Sequence, residues 1–66
     1  MLSARNQFRG TIKEITLGNV MADVVVAVGE SEIVSAITRV SAERLGLKVG
    51  DSVTAIVKST DVLIDK

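Results

Sequence analysis

The sequence predicts an all-β fold, a small barrel closed by one short helix, and three observations lead to it. At 66 residues the chain is a single domain. Val, Ile and Thr make up 22 of those 66 residues, and branching at Cβ favours extended backbone. Period-two alternation dominates, and only one stretch carries helix start and stop signals.

The first strand is expected from Gln7 to Leu17, with Phe8, Ile12, Ile15 and Leu17 as its apolar positions. The parity changes between Ile12 and Ile15, which predicts a bulge near Lys13 and Glu14; Gly10 adds to the coiling. Gly18-Asn19 marks a turn. The second strand, Val20 to Val28, puts Val20, Ala22, Val24, Val26 and Val28 on one face, while Val25 and Ala27 make the other face partly apolar. Gly29-Glu30-Ser31 is a hairpin connection, and the third strand runs from Glu32 to about Thr38.

The helical signal follows. Ser41 is the expected N-cap, with Val40 and Leu45 at the spacing of a hydrophobic staple. Glu43 then lies in the first turn and Gly46 closes the helix, which gives a helix of about Ser41 to Leu45. Lys48 to Asp51 is a turn, Ser52 to Lys58 the fourth strand, Ser59-Thr60-Asp61 a turn, and Val62 to Ile64 the fifth strand. The order β-β-β-α-β-β is the outline of the OB-type five-stranded barrel, with its one short helix between strands 3 and 4.

Composition excludes several function classes. Eight Lys+Arg balance eight Asp+Glu, and there is no Cys, His, Trp, Tyr or Pro. Without Cys there is no disulfide framework, and without Cys and His the usual ligands of zinc, iron–sulfur and copper are missing. No metal-cation site is expected. The carboxylates form no close pair in apolar surroundings and no nucleophile has an evident base, so no catalytic residue is assigned and the protein is not expected to be an enzyme. The zero net charge gives no footprint for duplex DNA. Single-strand binding by an OB barrel uses stacked aromatics over a basic groove; here Phe8 is the lone aromatic, and Arg5, Arg9, Arg39 and Arg44 are interleaved with acids. No apolar run nears the roughly 18 residues that span a bilayer, and no signal peptide is evident. The reading is a cytoplasmic chain with no membrane or nucleic-acid partner.

A domain this small buries only about 60% of the surface its unfolded chain exposes, and the ordering entropy, about 1.5 kcal/mol per residue, nearly cancels the gain. With disulfides and metal excluded, subunit association is expected to supply the rest.

One constellation carries chemistry. Ser3-Ala4-Arg5-Asn6-Gln7 and Lys58-Ser59-Thr60 each place small hydroxyls or amides beside a cation. A tetrahedral oxyanion needs donors only: a guanidinium fork, an ammonium point charge, hydroxyl protons and backbone N–H groups supply them. Thr38 and Ser41, before and at the predicted helix start, offer two more hydroxyls. Taken singly, each segment also reads as a solvated turn or cap.

These motifs resemble the molybdenum-pterin-binding (Mop) domain family and its small stand-alone molbindins. The match covers Ser-Ala-Arg-Asn-Gln at positions 3–7, Gly10, Ile37-Thr38-Arg39-Val40-Ser41, Leu45-Gly46-Leu47, Gly50 and Lys58-Ser59-Thr60-Asp61-Val62, so the single Mop domain spans residues 1–66. The resemblance implies an OB-type barrel that assembles as a homohexamer, a trimer of dimers. It implies binding of molybdate, with tungstate as a close mimic, between subunits, for intracellular storage, and no organic cofactor. Carried over to this chain, the molybdate-binding residues are Ser3, Ala4, Arg5, Asn6, Thr38, Ser41, Lys58 and Ser59, with Arg5 of one chain brought toward Lys58 of another. A second type of site, on a threefold axis, would draw on Gly18, Asn19 and Val20. The alternative is an OB-type interaction module for single-stranded nucleic acid or a protein partner.

Overall fold

A computed structural model describes residues 5–66. Strands β1 (Asn6–Leu17), β2 (Met21–Val28) and β3 (Ser31–Thr38) lead into helix α1 (Arg39–Leu45), then strand β4 (Ser52–Val57) and one 3-10 turn (Ser59–Asp61). The strands form one antiparallel sheet in the order β3-β2-β1-β4.

β1 is the organising element. Its first half, Asn6–Thr11, pairs with β4, and its second half, from Thr11 to Leu17, pairs with β2. The register shifts between Ile12 and Glu14, so Lys13 is the extra residue of the bulge that the parity change predicts. The bulge lets Ile12 and Ile15 both turn inward: Ile12 is fully buried with Val24 and Val26, and Ile15 packs against that cluster with Val28, Ile37, Leu47 and Val53. Ala22, Val24 and Val26 of β2 are buried, as its alternation requires, and Val25 and Ala27 on the outer face are half-buried. The turn from Lys48 to Asp51 is tied back to the bulge, with Ile12 N donating to Asp51 O at 2.9 Å and Gly50 N to Ile12 O at 2.8 Å.

The helix begins earlier than its sequence signals suggest. Thr38, not Ser41, is the N-cap: its backbone is extended (φ −72°, ψ 149°) and its Oγ1 accepts from Ser41 N at 3.1 Å. β3 runs into α1 with no intervening loop, so the cap is the strand's last residue and Ser41 lies inside the first turn. The register of the other signals moves with it. Val40 and Leu45 are both exposed rather than stapled. Glu43 falls beyond the first turn and pairs with Arg39 at 3.3 Å, one helical turn back. The end of the helix is as predicted. Gly46 takes the left-handed conformation (φ 63°), Leu47 N donates to Ala42 O at 3.2 Å and Gly46 N to Glu43 O at 3.0 Å, the two bonds of a Schellman close. Ala42 is the helix residue buried in the core.

The expected fifth strand, Val62 to Ile64, does not form within the chain. β4 ends at Val57, the 3-10 turn follows, and residues 62–66 carry no regular structure, with Leu63 and Ile64 about 90% exposed. A strand needs a neighbouring edge to pair with, and this segment is not laid against one in its own chain. Smaller shifts affect other ends: β1 starts at Asn6, β2 at Met21 and β3 at Ser31.

Candidate functional site

The predicted oxyanion residues fall into two clusters. The first lies where β1 begins and β4 ends. Asn6 pairs with Val57, so the antiparallel register puts Arg5 and Lys58, the next residues outward, side by side at one end of the sheet, with Ser59 opening the 3-10 turn beyond. Segments more than fifty residues apart in sequence thus meet through one ladder within a single copy, whereas the expectation pairs Arg5 of one chain with Lys58 of another. Arg5, Lys58 and Ser59 are exposed, Asn6 is half-buried, and among the described residues none of these four side chains is committed to a hydrogen bond or ion pair. Ser3 and Ala4 lie outside the described residues.

The second cluster lies at the other end of β1. Thr38 pairs with Met21, and the Gly18-Asn19-Val20 turn joins β1 to β2 beside it. Thr38 Oγ1 donates to Ser41 Oγ at 2.8 Å while accepting from Ser41 N, which leaves the Ser41 hydroxyl proton free to point outward. Arg39 ties the turn to the helix: its backbone N donates to Val20 O at 2.7 Å and its guanidinium to Gly18 O at 3.3 Å. Those two carbonyls are therefore occupied within the chain, and what the turn still presents is the exposed Asn19 side chain. Reading the sequence gives Arg39 no role beyond a surface patch; its place directly after the strand-ending Thr38 is the signal that marks it as the clip.

The two clusters do not meet in one copy. They lie at opposite ends of β1, a strand of 12 residues. Elsewhere on the surface Arg39 is paired with Glu43, Arg9 contacts Thr54 Oγ1 at 3.4 Å, and the lone aromatic Phe8 is 40% exposed. Among the described residues no group of His, Cys, Asp or Glu is placed to hold a metal ion. The shifted titration belongs elsewhere: on the bulge, the hydrogen bond from Lys13 to the Glu32 carboxylate, and the attraction between them, hold the Lys13 ammonium above its ordinary value of 10.5. No helix is long and apolar enough to cross a membrane among the described residues.

The only chemistry common to both clusters is donation. At the first end the Arg5 and Lys58 nitrogens and the Ser59 hydroxyl face solvent, and at the second the Ser41 hydroxyl proton, a set suited to an oxyanion and unsuited to acid–base turnover.

The chain is similar to known proteins over nearly its whole length. The TOBE domain family matches residues 2–64. The chain is 47% identical over 64 residues to molybdenum-pterin-binding protein 2 of Clostridium pasteurianum, covering 96% of this chain and 94% of that protein. Its fold is similar to the structure of a molybdate-binding protein from Sporomusa ovata, with a TM-score of 0.95 and 44% identity over 100% of this chain and 98% of that one. It is also similar to the cytoplasmic molybdate-binding protein ModG in a form with molybdate bound, with a TM-score of 0.83 and 43% identity over 89% of this chain and 43% of that one.

Proposed function

From the premise that this chain belongs to the TOBE-domain family, and within it to the molybdenum-pterin-binding (Mop) molbindins, we propose that it binds molybdate and, as a close mimic, tungstate, between the subunits of a homo-oligomer. It is a binding protein and not an enzyme. The observation that carries the proposal is the separation of the two donor clusters. Arg5, Asn6, Lys58 and Ser59 sit at one end of β1 and Thr38 and Ser41 at the other, so all of them surround one anion only when different copies contribute them. The assembly is a homohexamer, a trimer of OB-type dimers, in which Ser3 and Ala4 complete the first cluster and the Gly18-Asn19-Val20 turns meet on a threefold axis as a second site type. Its role is intracellular storage of the oxyanion, with no organic cofactor.

The chemistry explains why a dianion belongs there. Arg5 and Lys58 repel each other when brought into a partly desolvated interface, and a bound dianion removes that repulsion while satisfying the donors. Binding therefore stabilises the oligomer by linkage. Phosphate, partly protonated near neutral pH, leaves its proton unpaired in a donor-only site, which costs free energy.

Native mass spectrometry with molybdate, against a sulfate control, tests the proposal. The expected result is a hexamer mass that gains molybdate and ignores sulfate. Arg5→Ala combined with Lys58→Ala loses the added molybdate and keeps the far-UV circular dichroism of the parent. A parent that takes up no molybdate overturns the function and returns attention to an interaction module; a double variant that binds as well as the parent overturns the site.

A further inference from the structure

Met21 pairs with Thr38, so Arg39, the next residue along, falls opposite Val20 and its backbone N donates to Val20 O at 2.7 Å. The guanidinium serves two further partners. Its Nη1 donates to Gly18 O at 3.3 Å, and its Nε pairs with Glu43 Oε1 at 3.3 Å. Arg39 therefore holds the carbonyls on both sides of Asn19 and braces that hold against helix α1.

The turn needs such a tie. Gly18 N donates to Met21 O at 2.8 Å, which leaves Asn19 and Val20 as the two residues across the hairpin. Two-residue hairpin loops favour positive φ, because it matches the twist of the strands they join. Val20 is β-branched and resists that conformation, and among the described residues only glycines adopt it. A loop at negative φ tends to splay its strands; here the contacts from Arg39 oppose the splaying.

The same contacts set what the turn shows. The peptide bonds are trans among the described residues, so each carbonyl and the N–H that follows it point in opposite directions. With Gly18 O drawn to the guanidinium, the Asn19 N–H is turned away from it. Among the described residues that N–H has no partner, and the exposed Asn19 side chain stands beside it. The charge of Arg39 is already met by Glu43, so Arg39 shapes this donor set rather than joining it.

We propose that Arg39 is a positioning residue for an oxyanion at the β1–β2 turn: by holding Gly18 O and Val20 O it fixes the outward Asn19 N–H as a donor. The proposal rests on the reading of that turn as the second site type, and its test separates the two.

Backbone 15N relaxation without anion reads the clip alone. In the parent the order parameters of Asn19 and Val20 are expected near the rigid value of about 0.85, and in Arg39→Met they fall toward about 0.6. Arg39→Lys, whose ammonium can still donate to Gly18 O, recovers most of the order. Unchanged order parameters in Arg39→Met overturn the clip, whatever the anion does. Native mass spectrometry with sodium molybdate reads the donor. Asn19→Pro keeps a negative φ and removes the N–H, so it loses the molybdate held at the turn without loosening it. Arg39→Met weakens the same uptake about tenfold, the scale of a hydrogen bond to a charged group, and Arg39→Lys restores it in step with the order. A loosened turn with undiminished uptake overturns the link from Arg39 to the anion. Uptake unchanged in Asn19→Pro overturns the turn as a site, and the positioning role with it.

Discussion

Gly10 of β1 lies so close to β2 that a methyl group on its α-carbon would sit 2.5 Å from the Ala27 carbonyl oxygen and 2.8 Å from a Val26 methyl. This is the point at which β1 passes from β4 to β2, and the approach is possible because Gly10 has no Cβ. The sheet can coil there only as tightly as that contact allows.

Gly10→Ala is therefore expected to destabilise the fold by about 1–3 kcal/mol, the range for forcing a methyl group into a packed site, with backbone rather than a flexible side chain in the way. Equilibrium urea unfolding reads the change. A loss below about 0.5 kcal/mol, the level of an ordinary surface substitution, would show that β1 and β2 separate without cost at this crossing.

Thr38 and Ser41 separate two accounts of the helix start. Thr38→Val removes the acceptor for Ser41 N and is expected to cost about 1 kcal/mol, with Thr38→Ser close to neutral. Ser41→Ala keeps its backbone donor and costs less than Thr38→Val. Thermal or chemical unfolding of the three variants checks the order, and a larger loss at Ser41 would return the cap to that residue.

The bulge pair has a pH signature. Lys13 donates to Glu32, and its ammonium is held above 10.5 in the fold. A group whose folded value is raised contributes stability that is fully present below the unfolded value and is lost as pH climbs through the folded one. Both side chains are exposed, so the contribution is small. The melting temperature of Glu32→Gln is expected slightly below that of the parent at neutral pH, and the gap closes as pH passes the raised Lys13 value. A gap that persists in strong alkali would mean the substitution acts through packing instead.

Much of the architecture is readable from local pattern. The parity change between Ile12 and Ile15 marks the bulge at Lys13, alternation names the buried Ala22, Val24 and Val26, and Gly46 closes the helix. These are decided within a few residues, by side-chain period and by backbone freedom. The donor types of the candidate site are equally legible, because Arg5, Lys58, Ser59, Thr38 and Ser41 announce their chemistry by identity.

Which donors stand together was decided only by tertiary structure. The Asn6↔Val57 register joins Arg5 to Lys58 across more than fifty residues, while the length of β1 carries Thr38 and Ser41 to the far end. Local signals misplace the N-cap, because Ser41 qualifies by type but β3 runs straight into the helix and presents Thr38 first. They also assign a fifth strand to Val62–Ile64, a segment that pairs with no edge within its own copy. The physical reason is common to all three. Period and propensity are properties of neighbouring residues, whereas a strand, a cap and a site each need a partner, and partners are chosen by the register and reach of the folded chain.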